Sequence, residues 1–315
     1  MNENQEDQSI YANYIPKWQR LTWIQEKQLP TFFCEVHISL IILYLLISKL
    51  FQLKLQSFLK NHPNDNLFTT SYLNRHGLSN ALLQKEKKKQ TISPFGRGAW
   101  YVGRQKPGLF SAIAVIQQQE NKPVHVGGLT ALILHQRTHY IYSHLSEVWL
   151  FSRLDTTIPS WFQHMDWPCD KAYHRTHFLP PDLGLVSHEN QSNGMWFSSV
   201  ERATLECLHQ APQKISLAEC YQNIECLVFP DDIDTDLMQV LLEQCQSYKV
   251  KRLFLSFAEQ NEVAWFDDLD VSRIPLGKGM LSPSPYEGGV YDPKYRLLIP
   301  HSVKEVDFPQ ERFDY

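Results

Sequence analysis

Residues 78–102 read LSNALLQKEKKKQTISPFGRGAWYV: a lysine-rich helical pattern, a Gly-Arg-Gly turn and an aromatic strand, in that order. A winged helix-turn-helix has the same order, a recognition helix followed by a β-wing, each presenting cations to a phosphate backbone. Ser79 is placed to cap a helix over residues 80–88 with Leu82 and Leu83 facing inward. Upstream, Thr69 or Thr70 caps a shorter helix ending near His76. Gly77 suits the position after it, because glycine accepts a left-handed backbone at little cost. Two short helices with a glycine in the turn, then a hairpin around Gly96, Arg97 and Gly98, complete the signature.

Charge sets the same stretch apart. The 315-residue chain carries a formal net charge of −4. From Lys49 to Lys106 it has eleven Lys and Arg against Asp65 and Glu86, a net of +9; from Pro107 onward it has 16 against 27, a net of −11. A basic module on an acidic body suggests one region that meets polyanions and one that does not, although a lysine face on an ordinary solvated helix gives the same count. Asn80 and Gln84 are the side chains of the helix able to read base edges, through paired amide contacts to adenine. Lys85, Lys87 and Lys88 suit phosphate contacts that set register. Arg97 stands at the wing tip, where flanking glycines allow close backbone approach. With Arg75, Ser79 and Arg104 these form the candidate DNA-binding set.

Outward from this block, the length allows two ordinary domains. The spacing predicts a winged helix-turn-helix domain over residues 49–106 and a C-terminal mixed α/β domain over 107–315, the boundary marked by Pro107 and Gly108. Residues 1–48 form an extension with no assigned role, polar and Gln-rich over residues 1–30. Its run ISLIILYLLI at 38–47 is about half the roughly 20 residues a membrane-spanning helix needs, so a buried or partner-facing helix is favoured and a soluble, cytoplasmic protein expected. Beyond residue 107 helices are expected at 109–119, 130–136, 201–209, 217–226, 234–248 and 250–261. Strands are expected at 124–126, 140–142, 147–151, 171–177, 195–198 and 294–299, with a one-turn helix near Pro159.

The acidic body offers little chemistry. None of the six cysteines forms a C-x-x-C pair, which favours reduced thiols used as small core residues. His174 and His177 are three apart, so on a strand they point to opposite faces and do not share a metal. Gly127-Gly128 before a helix lacks the spacing and lysine of a P-loop and reads as a tight turn with Thr130 as cap. Arg202 and Glu206, four apart, suit an intrahelical ion pair of a few tenths of a kcal/mol. No nucleophile–base constellation emerges, so a protein without catalytic residues, cofactor or metal is expected.

Further phrases follow in order: FGRGAWYV at 95–102, KPVHVGGLTAL at 122–132, VWLF at 148–151, PSWF at 159–162, YHRTHF at 173–178, SSVERATLECL at 198–208, SYKVKRLFLSFAE at 247–259 and GGVYDPKYRLLIP at 288–300. Over roughly four fifths of its length the chain resembles the AbiEi-type antitoxins of type IV toxin–antitoxin (abortive infection) systems. The resemblance implies a winged helix-turn-helix that binds inverted repeats at the operon's own promoter and represses it. It also implies a C-terminal domain with antitoxin activity, and a nucleotidyltransferase-like toxin countered without a stable complex. The alternatives are a nucleic-acid-processing enzyme with a nuclease-like C-terminal domain, and an orphan transcriptional regulator.

Overall fold

The structure is a computed structural model that describes residues 49, 53–63, 65–187, 194–283 and 288–303, so the expectations for residues 1–48 and the apolar run within them lie outside the described residues. Two compact units are present, Met1–His62 and Pro63–Tyr315. In the first, helix α1 covers residues 53–61 and buries Leu55 and Phe58. His62 stacks on Phe58 with ring centroids 4.3 Å apart, and its Nδ1 donates to the Phe58 carbonyl at 2.8 Å.

The second unit opens with β1 (Leu67–Thr69), α2 (Thr70–Arg75), α3 (Asn80–Lys88), β2 (Ser93–Gly96) and β3 (Ala99–Tyr101). The three strands form an antiparallel sheet of order β1-β3-β2, with Phe68 opposite Trp100 and Pro94 also opposite Trp100. This is the element order of a winged helix-turn-helix. Thr69 and Ser79 cap the two helices as their positions dictate, accepting from the amides of Tyr72 and Leu82. Gly77 follows α2 at a φ of 76°, the left-handed geometry that favours glycine.

Next come α4 (Leu109–Glu120), β4 (Val124–Val126), α5 (Gly128–Leu134), β5 (Glu147–Ser152), α6 (Ser160–Gln163), β6 (Asp170–Arg175), β7 (Leu185–Ser187) and β8 (Trp196–Ser198). Their five strands make one mixed sheet of order β6-β5-β4-β8-β7, parallel at β5–β6 and β4–β8 and antiparallel at β4–β5 and β7–β8. Helices α7 (Val200–Gln210), α8 (Leu217–Glu225), α9 (Thr235–Gln244) and α10 (Tyr248–Gln260) follow, and an antiparallel hairpin of β9 (Gly289–Asp292) and β10 (Leu297–Pro300) comes after them.

Helices α7 and α10 are buried over most of their length, charged residues included. Burial of Arg252 is tolerated because its guanidinium donates to the carbonyls of Leu276, Lys278, Gly279 and Arg296, and a hydrogen-bonded buried charge avoids most of the desolvation cost. Leu67, Phe95 and Ala99 of the winged element join the same apolar core as α4, the mixed sheet and α7.

Several local expectations need correction. Residues 140–142 are not a strand; Tyr140 and Tyr142 instead tie this segment to α8 through hydroxyl bonds to Gln222 at 3.1 Å and Glu219 at 2.6 Å. The helix expected over 234–248 breaks at residue 244. Gln246 donates its amide to the Phe178 carbonyl at 2.8 Å, and Ser247 caps α10. Thr130 does not cap α5: its hydroxyl accepts from the Trp149 amide at 2.9 Å. Strands β1, β7 and β9 are not among the expected elements; each has three or four residues, too few for a period-two pattern to show.

Candidate nucleic-acid interface

Helix α3 faces two ways. Leu82, Leu83 and Glu86 are buried, while Asn80, Ala81, Gln84, Lys87 and Lys88 are exposed and Lys85 is half-buried. At 3.6 residues per turn Asn80, Gln84 and Lys87 or Lys88 fall in one outward stripe. Leu78, just before the helix, is fully buried and fixes the turn between α2 and α3. Ser79 is occupied as the cap, accepting from the Leu82 amide at 3.4 Å.

The only two acidic residues of the basic block are Asp65 and Glu86. Glu86 is completely buried and pairs with Lys89 at 2.9 Å. Helix α3 therefore carries no carboxylate of its own on its exposed face.

Arg97 and Gly98 form the turn between β2 and β3, with Arg97 exposed. Gly98 adopts a φ of 102° with nothing within 4 Å of where a Cβ would stand, so backbone conformation and not crowding requires glycine there. Its carbonyl accepts from the Thr70 amide at 2.8 Å, tying the wing to the start of α2. Arg104 is exposed beyond β3.

Arg75 also anchors α2 within the fold. Its Nη2 donates to the Gln119 carbonyl, and its guanidinium lies 5.8 Å from the Tyr72 ring centroid. Sequence reasoning missed the group around Gln119. Its side-chain amide accepts from the Thr69 amide at 2.8 Å and donates to the Leu67 carbonyl at 3.0 Å, pairing with β1 as a neighbouring strand would. Phe95 of the wing meets Trp161 and Trp167, each with centroids 5.9 Å away, and Trp161 donates to Glu120 at 3.0 Å. The α2–α3 pair with its strands β1–β3 is thus braced from α4 and α6. An aromatic-rich PSWF phrase was the sequence signal available, but nothing in its spacing pointed to the wing.

A second group missed from sequence centres on Glu206. Its Oε1 accepts from His125 Nε2 at 2.9 Å and Arg202 Nε at 2.8 Å; its Oε2 accepts from the Gly128 amide at 2.9 Å and the Ser198 hydroxyl at 2.8 Å. The double glycine before α5 does receive an anion, and the anion is the chain's own carboxylate. A Cβ on Gly127 would stand 2.1 Å from Glu206 Oε2, and one on Gly128 2.6 Å from the Trp149 ring, so the approach needs both glycines. The expected Arg202–Glu206 pair is present, but buried, so the small surface value does not apply. Burial lowers the His125 pKa and outweighs the pull of Glu206; the ring meets the carboxylate through Nε2.

Of the two histidines considered above, His174 is buried in β6 and His177 is exposed beyond its end. The cysteines at 169, 207, 220, 226 and 245 are free thiols, and burial pushes those of Cys207, Cys220 and Cys245 up, away from the reactive thiolate. Among the described residues no group of three or more His, Cys, Asp or Glu is arranged to hold a metal, and no helix is long and apolar enough to cross a membrane.

Fold and surface together define a mixed α/β protein whose first helices and hairpin, in the element order of a winged helix-turn-helix, expose cations on a body of opposite charge. A family model described as the N-terminal domain of the AbiEi antitoxin, a transcriptional regulator, matches residues 51–143. A second, described as the AbiEi antitoxin and transcriptional regulator of a type IV TA system, matches residues 145–300. The chain belongs to this AbiEi family of antitoxins and transcriptional regulators. Among curated proteins none matches it. Among solved structures, the crystal structure of the RV2827C protein from Mycobacterium tuberculosis is similar, with a TM-score of 0.51 over 79% of this chain and 91% of that one at 9% identity. At that identity the likeness concerns the fold alone.

Proposed function

We propose that this antitoxin binds inverted repeats at its own promoter through α3 and the β2–β3 wing, represses its operon, and counters a nucleotidyltransferase-like toxin without a stable complex. The observation that carries the DNA-binding half is the exposed stripe of α3, which holds amides and lysines while the one acidic residue of the helix is buried against Lys89. Asn80 and Gln84 read base edges. Lys85, Lys87, Lys88, Arg97 and Arg104 hold phosphates. Ser79 supports the helix as its cap, and Arg75 fixes α2 to α4. On this reading the protein acts in the cytoplasm as a regulator and not as an enzyme, and the acidic body carries the antitoxin activity.

A mobility-shift assay on the DNA upstream of the gene tests the assignment. Replacing Lys85, Lys88 and Arg97 by alanine is expected to abolish the shift at concentrations that saturate the parent protein. Undiminished binding by that variant would remove the surface from consideration.

A further inference from the structure

We propose that a cavity of the acidic body, remote in chemistry from the DNA-reading face, binds a small organic phosphate. The cavity has a volume of about 350 Å³ and lies beyond the carboxyl ends of the parallel strands β5 and β6, lined there by Ser152, Arg153, Thr176 and His177. Open α/β sheets place ligands at the carboxyl ends of parallel strands, and pockets of a few hundred Å³ hold small molecules.

Two kinds of surface meet in it. The polar side carries two guanidiniums, Arg153 and Arg202, with the Asp155 carboxylate also in its lining. Arg202 is 4% exposed and lines the cavity. Its Nε is spent on Glu206 and both Nη1 hydrogens go to the carbonyls of Pro180 and Leu183. Its Nη2 has no hydrogen-bond partner among the described residues, so two charge-assisted donors remain. Glu206, with four hydrogen bonds of its own, holds that guanidinium in place. Arg153 and His177 stand exposed at the rim; Arg153 pairs with Asp155 at 3.3 Å, an exposed contact that opens at little cost. Donors arriving from separate walls suit a tetrahedral phosphate with several free oxygens better than a planar carboxylate. The apolar side is formed by Phe151, Leu179 and Pro181. It leaves far more room than one phosphate group needs, and so calls for an organic portion.

Isothermal titration of the full-length chain with AMP, adenosine and inorganic phosphate tests this. AMP is expected to bind saturably with one site, adenosine not to bind, and inorganic phosphate to compete with AMP. The double variant R153A/H177A removes two exposed side chains; its melting temperature without ligand should equal the parent's, while its AMP affinity falls about tenfold or more, as loss of a charge-assisted hydrogen bond implies. Its affinity for promoter DNA should be unchanged. No saturable AMP binding, equal binding of adenosine, full AMP affinity in the double variant, or displacement of AMP by promoter DNA would each overturn the proposal.

Discussion

Glu206 remains ionised at zero exposure because donors on three elements and the Ser198 hydroxyl converge on it, as helix α7 brings it to His125, Arg202 and the Gly128 amide. Burial by itself raises its pKa; the charges and hydrogen bonds of His125, Arg202 and Ser198 more than reverse this and hold it below the usual carboxylate range. A carboxyl with a folded pKa below its unfolded one stabilises the protein at neutral pH, and that contribution is lost as pH falls from the unfolded value near 4.5 through the folded one. Glu206→Gln removes the charge and strands Arg202, so chemical denaturation at pH 7 should show a loss of about 3–5 kcal/mol. A loss under about 1 kcal/mol, typical of a surface pair, would contradict the buried arrangement. His209 gives a second test. Burial, reinforced by Lys249, pushes it down to about 4. Its unfolded form takes up a proton below about 6.5 and its folded form does not until about 4, so stability declines as pH drops through that window. His209→Phe preserves the stack on Phe178, whose centroid is 4.1 Å away, and should flatten the fall of Tm between pH 6.5 and 4. An unchanged slope would rule His209 out as its source.

At the scale of elements, the bond between α4 and β1 decides how the β1–α2–α3–hairpin unit is held. Gln119→Leu leaves the Thr69 amide and Leu67 carbonyl without partners, which should cost about 1–3 kcal/mol. Hydrogen exchange at the Thr69 amide should accelerate while that of the α10 amides does not; equal protection in both proteins would show that the brace is unimportant. Helices α2 and α3 were legible because local signals coincide there: Thr69 and Ser79 as caps, Gly77 in the turn, paired leucines inside. The hairpin was legible from Gly96-Arg97-Gly98. The brace was not, because Gln119 looks like any polar residue at the end of an amphipathic helix, and its partners lie 50 and 52 positions away. The Glu206 cluster was half legible. Its i, i+4 arginine showed in the sequence, whereas His125 and the Gly128 amide come from 81 and 78 residues away. Tyr140 and Tyr142 misled for a related reason, since alternating aromatics suit a strand but serve here as hydroxyl ties to another helix.

Across the whole molecule, a net of +9 over residues 49–106 faces a net of −11 over the remainder from Pro107. On the proposed reading, segregation of this kind directs nucleic acid to α3 and the wing and repels it from the acidic remainder. It also predicts that affinity for promoter DNA falls steeply with salt, by about 0.9 logarithmic units per logarithmic unit of salt for each phosphate neutralised. Each of Lys88→Ala and Arg97→Ala should reduce that slope by about 1, while Asn80→Ala and Gln84→Ala should relax sequence preference and leave the slope alone. The most direct measurement is fluorescence anisotropy with the gene's own upstream DNA, titrated across a range of salt, for the parent protein and the Lys85, Lys88, Arg97 triple alanine variant. The parent should bind tightly at low salt with a steep slope, and the variant weakly with a slope shallower by about 3. Identical affinities and slopes for the two proteins would contradict the assignment of α3 and the wing as the DNA-binding surface.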